Sequence, residues 1–275
     1  MRQLCAILDV SRGWDYATQA EEADAEEVAL RAAIEDLVLA FPGYGYRRVT
    51  KALQRAGWTI THKRVPRLMR EDALLCHLKR RWVPTTDSAH GLTTYPTLVR
   101  ATAITRLHQV WVADITYVRL PRGVVYLAAL LDGDSRKVIG WALSRWIDTA
   151  RTPRALDHAL TTRPVAAGLI HHSDRGVQYA SGASVARVRE HGIAVSMAAR
   201  GTPYENAQAG SFFKTLKTEE AQLKDYGDLA DAERHLERFI DDVDTTKRLH
   251  SALGYRPPAE FEHVLSQECE SAAVR

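Results

Sequence analysis

Two hydrophobic rhythms divide this chain. Up to about residue 76 the apolar positions recur at helical spacing, and from Gln109 they become β-branched and aromatic runs of strand length. Residues 24–40, rich in Ala, Glu, Leu and Val, read as a helix stopped by Phe41-Pro42-Gly43. Residues 46–56 set Val49, Ala52, Leu53 and Ala56 against a basic face, and Gly57 closes that helix. Residues 61–74 read as a third, basic helix, and three such helices suggest a helix-turn-helix module. Pro66 constrains the third. Past the first turn a proline costs about 3 kcal/mol, so this helix either begins near Arg64 or is damaged.

Residues 77–105 read as a basic linker with Thr, Ser, Gly and Pro. Val110–Val118 is then β-branched and aromatic, as a strand, Leu120–Gly123 makes a hairpin turn, and Val124–Leu131 is a nearly continuous apolar run. Such a run suits a strand covered on both faces. Lys137–Leu143 supplies a third strand. Helices are expected over 152–162 and 183–191, short strands over 168–172 and 193–196, and long helices over 206–224 and 229–243. Three consecutive strands followed by alternating helices and strands predict an α/β mixed sheet with helices on both faces. The expected organisation is a helical module (1–76), a linker (77–105), a core (106–265) and a tail (266–275).

At 275 residues, 45% hydrophobic and 26% charged, the composition is that of an ordinary globular protein with room for two domains. No apolar run approaches the ~18 residues of a membrane span, and no clear secretory signal opens the chain. Cys5, Cys76 and Cys269 are scattered and odd in number, which fits a reducing cytoplasm rather than a disulfide framework. The net charge of +3 conceals an uneven distribution: residues 1–41 carry 3 basic and 9 acidic residues, residues 42–82 carry 11 basic and 2 acidic. The basic block is the electrostatic footprint of a polyanion-binding surface; a solvated helical surface is the plainer alternative.

Three features carry candidate chemistry. Asp114 lies among Val112, Ile115 and Val118, where a charge is costly unless a cation or donor compensates it. Taken alone, it reads more readily as a solvent-face residue of an edge strand. Asp174 follows an apolar strand and opens a Ser-Asp-Arg-Gly turn, at the strand end where α/β sites collect; a turn aspartate is the equal alternative. His171 and His172 lack the partners of a zinc site and read as core or supporting residues. Gly210 falls inside a predicted helix, where glycine costs about 1 kcal/mol relative to alanine and brings no evident structural benefit.

A series of short motifs then resembles one family along nearly the whole chain. They are Tyr44-Gly-Tyr-Arg-Arg48, Arg67-Leu-Met-Arg-Glu71, Trp111…Asp114-Ile-Thr, Asp132…Ser135-Arg136, Gly140-Trp141, His171-His-Ser-Asp-Arg-Gly176, Ser211-Phe-Phe-Lys-Thr-Leu-Lys217 and Arg248-Leu-His-Ser-Ala-Leu-Gly-Tyr255…Pro257-Pro258. In this order they resemble the OrfB product of bacterial two-frame insertion-sequence transposases, DDE transposases with a retroviral-integrase-like core. The resemblance implies an RNase H-like core behind a helix-turn-helix module, and cleavage and joining of transposon DNA with two Mg²⁺ or Mn²⁺ ions. It makes Asp114 and Asp174 catalytic metal ligands, with Gly210 standing where the family has a glutamate. His172, Arg175 and Asn206 would support them. DNA contacts are expected from Arg47, Arg48, Lys51, Arg64, Arg67, Arg70, Lys79, Arg80, Arg81, Lys214 and Lys217. Implied partners are transposon and target DNA, an OrfA product or fusion and further copies of the chain, with no membrane and a bacterial cytoplasmic, nucleoid-associated location. Neither neighbouring acid replaces the missing one: Glu219 lies roughly 13 Å further along the helix, and Glu205 precedes it, off the needed face. The expectation is therefore a transposase subunit impaired in chemistry, with a non-catalytic DNA-binding regulator or transposase remnant as the alternative.

Overall fold

The computed structural model describes residues 12–76, 92–100, 102–146 and 152–273. The chain divides into two compact units, Met1–Leu78 and Lys79–Arg275.

The first unit contains α1 (Arg12–Ala40), α2 (Tyr46–Arg55) and α3 (Arg64–Glu71). Helix α1 starts well before residue 24, because the acidic run that precedes it is rich in the strong helix formers Ala, Glu and Gln and holds no breaker after Gly13. Helix α3 starts at Arg64, so Pro66 falls in the first turn, where its missing N–H has no helical acceptor to lose. Leu30, Ile34, Tyr44, Val49, Leu53, Ile60, Val65, Leu68 and Met69 form the buried side. The acidic and basic blocks of the sequence meet here. Glu27 pairs with Arg31 at 3.1 Å, Arg67 at 3.3 Å and Arg64 at 3.5 Å, and Arg31 also reaches Glu71 and Asp72. Part of the basic block is thus neutralised inside the module, which a count of charges along the chain does not reveal.

The second unit is built on a five-stranded sheet in the order β3-β2-β1-β4-β5. Strands β1 (Val110–Leu120), β2 (Gly123–Asp132) and β3 (Val138–Ser144) are antiparallel neighbours; β4 (Ile170–Ser173) and β5 (Ala194–Met197) run parallel to β1. This is the predicted mixed α/β sheet. Gly123, at φ +105°, supplies the left-handed backbone that the tight turn from β1 to β2 requires. Strand β1 feeds two cores by simple alternation: Val110 and Val112 pack with Phe212, Phe213, Leu216, Leu236 and Ile240, whereas Trp111 and Ala113 pack with Leu156, Ala159, Leu169 and Met197.

Helix α4 (Thr152–Thr162) lies on β3 at Gly140, where an added Cβ would stand 2.9 Å from Ala159 Cβ and 2.7 Å from its backbone nitrogen. The Gly140-Trp141 motif is therefore a close helix–sheet contact. Helices α5 (Val177–Ala180) and α6 (Gly182–Glu190) follow β4, and α7 (Ala207–Leu216) and α8 (Leu229–Arg238) follow β5. Both α7 and α8 widen into π turns, at Lys217–Ala221 and Phe239–Asp244, which together occupy the two long helices expected there. Helix α9 (Pro258–Ala273) runs through the residues expected as a tail. Its Glu262 accepts from Ser135 Oγ at 2.8 Å and pairs with Arg163 at 2.8 Å, so the Asp132…Ser135 turn anchors the helix. The described part of the expected linker is docked on the sheet: Leu98 N donates to Ser196 Oγ at 2.8 Å, and Val99 and Ile104 pack on the core.

Candidate active site

The parallel pairing of β1 with β4 ends at Ala113 opposite Ser173. The residue after each is an aspartate, Asp114 within β1 and Asp174 just beyond the end of β4, and neighbouring strands lie ≈ 4.8 Å apart. Register alone therefore brings two carboxylates together, although 60 positions separate them in the sequence. Asp114 responds as a paired, half-buried acid. Burial first, and then the charge of Asp174, raise its pKa to about 7, against the opposing pull of the Ile115 amide and Lys217. Asp174 is held by its own turn: Oδ1 accepts the Gly176 N–H at 2.9 Å, while Arg175 Nε donates to Ala198 O at 2.8 Å and fixes the turn on the segment after β5. A side chain at 176 would begin 3.0 Å from that same oxygen, which explains the glycine.

Helix α7 borders the pair. Asn206, at its N-cap, donates from Nδ2 to Ala113 O at 3.3 Å, at the point where β4 stops. Lys217, just past its last turn, sits 4.4 Å from the ring centroid of Tyr117 on β1, and its charge is felt by Asp114. At 3.6 residues per turn, positions 206, 210 and 217 fall within about 40° of one another around the axis. Gly210 thus occupies the stripe whose two ends touch β1 on either side of Asp114. It is exposed, and a Cβ there would meet nothing within 4 Å. A longer side chain at 210 has room to project, and no packing constraint accounts for the glycine.

The neighbouring acids are already engaged. Glu205 Oε2 accepts the Ala199 N–H at 2.7 Å and Oε1 accepts Arg100 Nε at 2.8 Å. Burial pushes its carboxyl up, but these donors outweigh burial and hold it below the usual range. Glu219 is buried against Arg248, with two contacts of 3.1 Å. This explains Arg248 in the Arg-Leu-His motif, and no local pattern signals it, since the partners are 29 positions apart. His171 is buried, and burial lowers its pKa to about 4, so it is a neutral core residue. His172 is fully buried, with Nδ1 2.9 Å from Ser196 Oγ between β4 and β5. Among the described residues no group of three or more His, Cys, Asp or Glu side chains is placed to hold a metal. The carboxylate pair suits a hard divalent ion in donor chemistry but supplies only two protein ligands.

In the helical unit, Arg47, Lys51 and Arg70 are exposed, with Arg47 stacked on Tyr46 and the half-buried Arg48 on Tyr44. Arg64 and Arg67 point into the acid cluster of α1 instead. Lys214 is exposed on α7. Lys79, Arg80 and Arg81 lie outside the described residues.

Comparison with known proteins is consistent across both units. The HTH-like domain family matches residues 24–82, and two integrase core domain families match residues 105–203 and 191–258. The chain is 34% identical over 269 residues to the insertion element IS600 uncharacterized 31 kDa protein of Shigella sonnei, covering 96% of this chain and 99% of that one. It is 31% identical over 270 residues to the transposase InsF for insertion sequence IS3A of Escherichia coli K12, covering 96% and 94%. Among solved structures, the HTLV-2 integrase catalytic core domain in complex with magnesium aligns at 13% identity and TM-score 0.43, over 56% of this chain and 95% of that one. No helix among the described residues is long and apolar enough to cross a membrane.

Proposed function

Since this chain belongs to the insertion-sequence transposases with an integrase core, we propose that it acts on transposon DNA through an Asp114–Asp174 centre that lacks its third acid at Gly210. The observation that carries this reading is the parallel register of β1 and β4, which makes the two aspartates neighbours, together with the position of Gly210 on the bordering stripe of α7. Asp114 and Asp174 would hold the divalent ions; Mg²⁺ or Mn²⁺, when bound, supplies neutralisation of the developing charge and activation of the attacking oxygen.

The chain's own groups set the conditions for that chemistry. Asp114 must lose a proton that burial and Asp174 help it keep, so a cation competes with that proton around pH 7. The Gly176 N–H keeps Asp174 aimed, and Asn206 ties the start of α7 to β1. His172 and Arg175 support the pair by locking β4 to β5 and to the segment beyond it. DNA binding rests on Arg47, Arg48, Lys51 and Arg70 of the helical unit, with Lys214 and Lys217 beside the site. An OrfA product and further copies of the chain complete the working assembly.

With two carboxylates the ions are poorly held, and removing one ligand costs several kcal/mol of transition-state stabilisation, roughly a thousandfold or more in rate. The decisive assay is strand transfer with Mg²⁺ or Mn²⁺ on DNA carrying transposon ends, comparing the chain with Gly210→Glu. Restoration by Gly210→Glu is the expected result. Equal and robust activity in both refutes this account of the site. A second reading, a DNA-binding regulator without chemistry, is favoured by the glycine itself; it predicts binding without cleavage even after Gly210→Glu, and inhibition of an intact relative.

A further inference from the structure

A cavity of about 790 Å³ lies away from the aspartate pair, at the far end of the β1–β2 hairpin. The hairpin tip (120–126), Arg145 and Trp146 after β3, and Gly227-Asp228 before α8 line it. Trp146 is 72% exposed, an unusual placement for the largest apolar side chain. Arg122 and Arg145 are exposed beside it, and among the described residues no acid forms an ion pair with either. The acid in the lining, Asp228, is committed to capping α8, where it accepts the Asp231 N–H at 2.8 Å. The cavity therefore combines a flat aromatic face, two available guanidinium groups and a concave wall.

We propose that this hairpin pocket holds single-stranded DNA, with an unpaired base stacked on Trp146 and the flanking phosphates engaged by Arg122 and Arg145. An aromatic platform serves only a base whose face is free, and arginines beside it are the complement of the backbone charge. A protein partner would also use Trp and Arg, yet charge complementarity favours the polyanion, since two guanidinium groups face a single carboxylate, Asp228, in the cavity wall. Position 120 is six residues beyond Asp114 on β1, roughly 20 Å at strand rise. At 3.4 Å per step this equals about six nucleotide steps of a B-form strand. The pocket would thus hold a strand separated from its complement at a distance from the carboxylates. The inference rests on the DNA-processing reading for its substrate class alone.

The test uses the full chain, fluorescence anisotropy and two probes: a labelled oligothymidylate single strand and a duplex. Trp146→Leu should weaken single-strand binding by roughly 5- to 150-fold, the equivalent of losing about 1–3 kcal/mol of one stacked base. Duplex binding should change less than about twofold, and Trp146→Phe should recover part of the loss. Arg122→Gln with Arg145→Gln should reduce the salt slope for the single strand by about 1.4, two phosphates at roughly 0.7 each. Equal losses on both probes, or none on the single strand, overturn the proposal. So does a change of oligomeric state in Trp146→Leu, by sedimentation, without an effect on the single strand. Failure of the unsubstituted chain to bind either probe would instead strike the DNA-processing reading itself.

Discussion

Replacing Asp114 with asparagine should make the metal-free protein more stable above neutral pH and remove a pH dependence that the parent shows. Burial and Asp174 raise the Asp114 pKa from 3.8 to about 7. At 1.36 kcal/mol per pKa unit, ionising this group in the folded state costs about 4 kcal/mol relative to the unfolded chain. The sign follows from proton binding. Below pH 3.8 both states are protonated and nothing is lost. Between 3.8 and about 7 the folded state keeps a proton that the unfolded state has released, so stability falls as pH rises, and above that the loss is complete. About 3 kcal/mol of it falls between roughly pH 4.5 and pH 8. For a unit spanning Lys79–Arg275 that is roughly 6–12 °C in Tm. The asparagine keeps an oxygen for the Ile115 N–H, which Asp114 accepts at 2.8 Å, so the local path of the strand is preserved. The assay is calorimetric melting of parent and Asp114→Asn in chelator at both pH values. The variant should gain on the parent only at the higher pH. Parallel pH profiles in the two proteins would refute the argument that the aspartates are close and desolvated.

Three further outcomes follow from packing. Gly210→Ala should stabilise the protein by up to about 1 kcal/mol in denaturant titration, because a Cβ at 210 meets open space and glycine in a helix is penalised; a loss of stability would mean that the position is packed. Gly140→Ala should cost about 1–3 kcal/mol or more, since its Cβ collides with the backbone and Cβ of Ala159 and must push α4 off β3; an unchanged melting point would contradict that contact. Arg248→Ala should cost about 3–5 kcal/mol by leaving Glu219 buried without its partner. The double variant with Glu219→Ala should recover part of that loss, and strictly additive losses would exclude the pair.

Much of the architecture is legible along the chain. The three strands, the crossover helix at 152–162 and the alternating helices and strands after it are local consequences of period and of breakers such as Gly123. Periodicity understates helix α1 because its acidic run lacks an apolar stripe, whereas helix propensity, not amphipathicity, extends it to Arg12. Pro66 leaves a helix that begins near Arg64 or one that is damaged, and the structure has the start at Arg64, with the proline accommodated in the first turn. The linker expectation follows from turn-forming composition, yet Leu98 and Arg100 of that stretch are fastened to Ser196 and Glu205, about a hundred positions away.

The order of side chains by itself determined which chemistry this protein has to offer: two aspartates at strand positions, a glycine in a helix that could have carried an acid, and a basic module in front. Tertiary structure decided which of these groups meet. Parallel pairing of β1 with β4 turns Asp114 and Asp174 into neighbours, Arg100 and Arg248 take Glu205 and Glu219 out of reach as substitutes, and the acids of α1 consume part of the basic block. The reason is physical: backbone period is set within a few residues, whereas the proximity that shifts a pKa or closes an ion pair depends on strand register and helix placement over tens of residues.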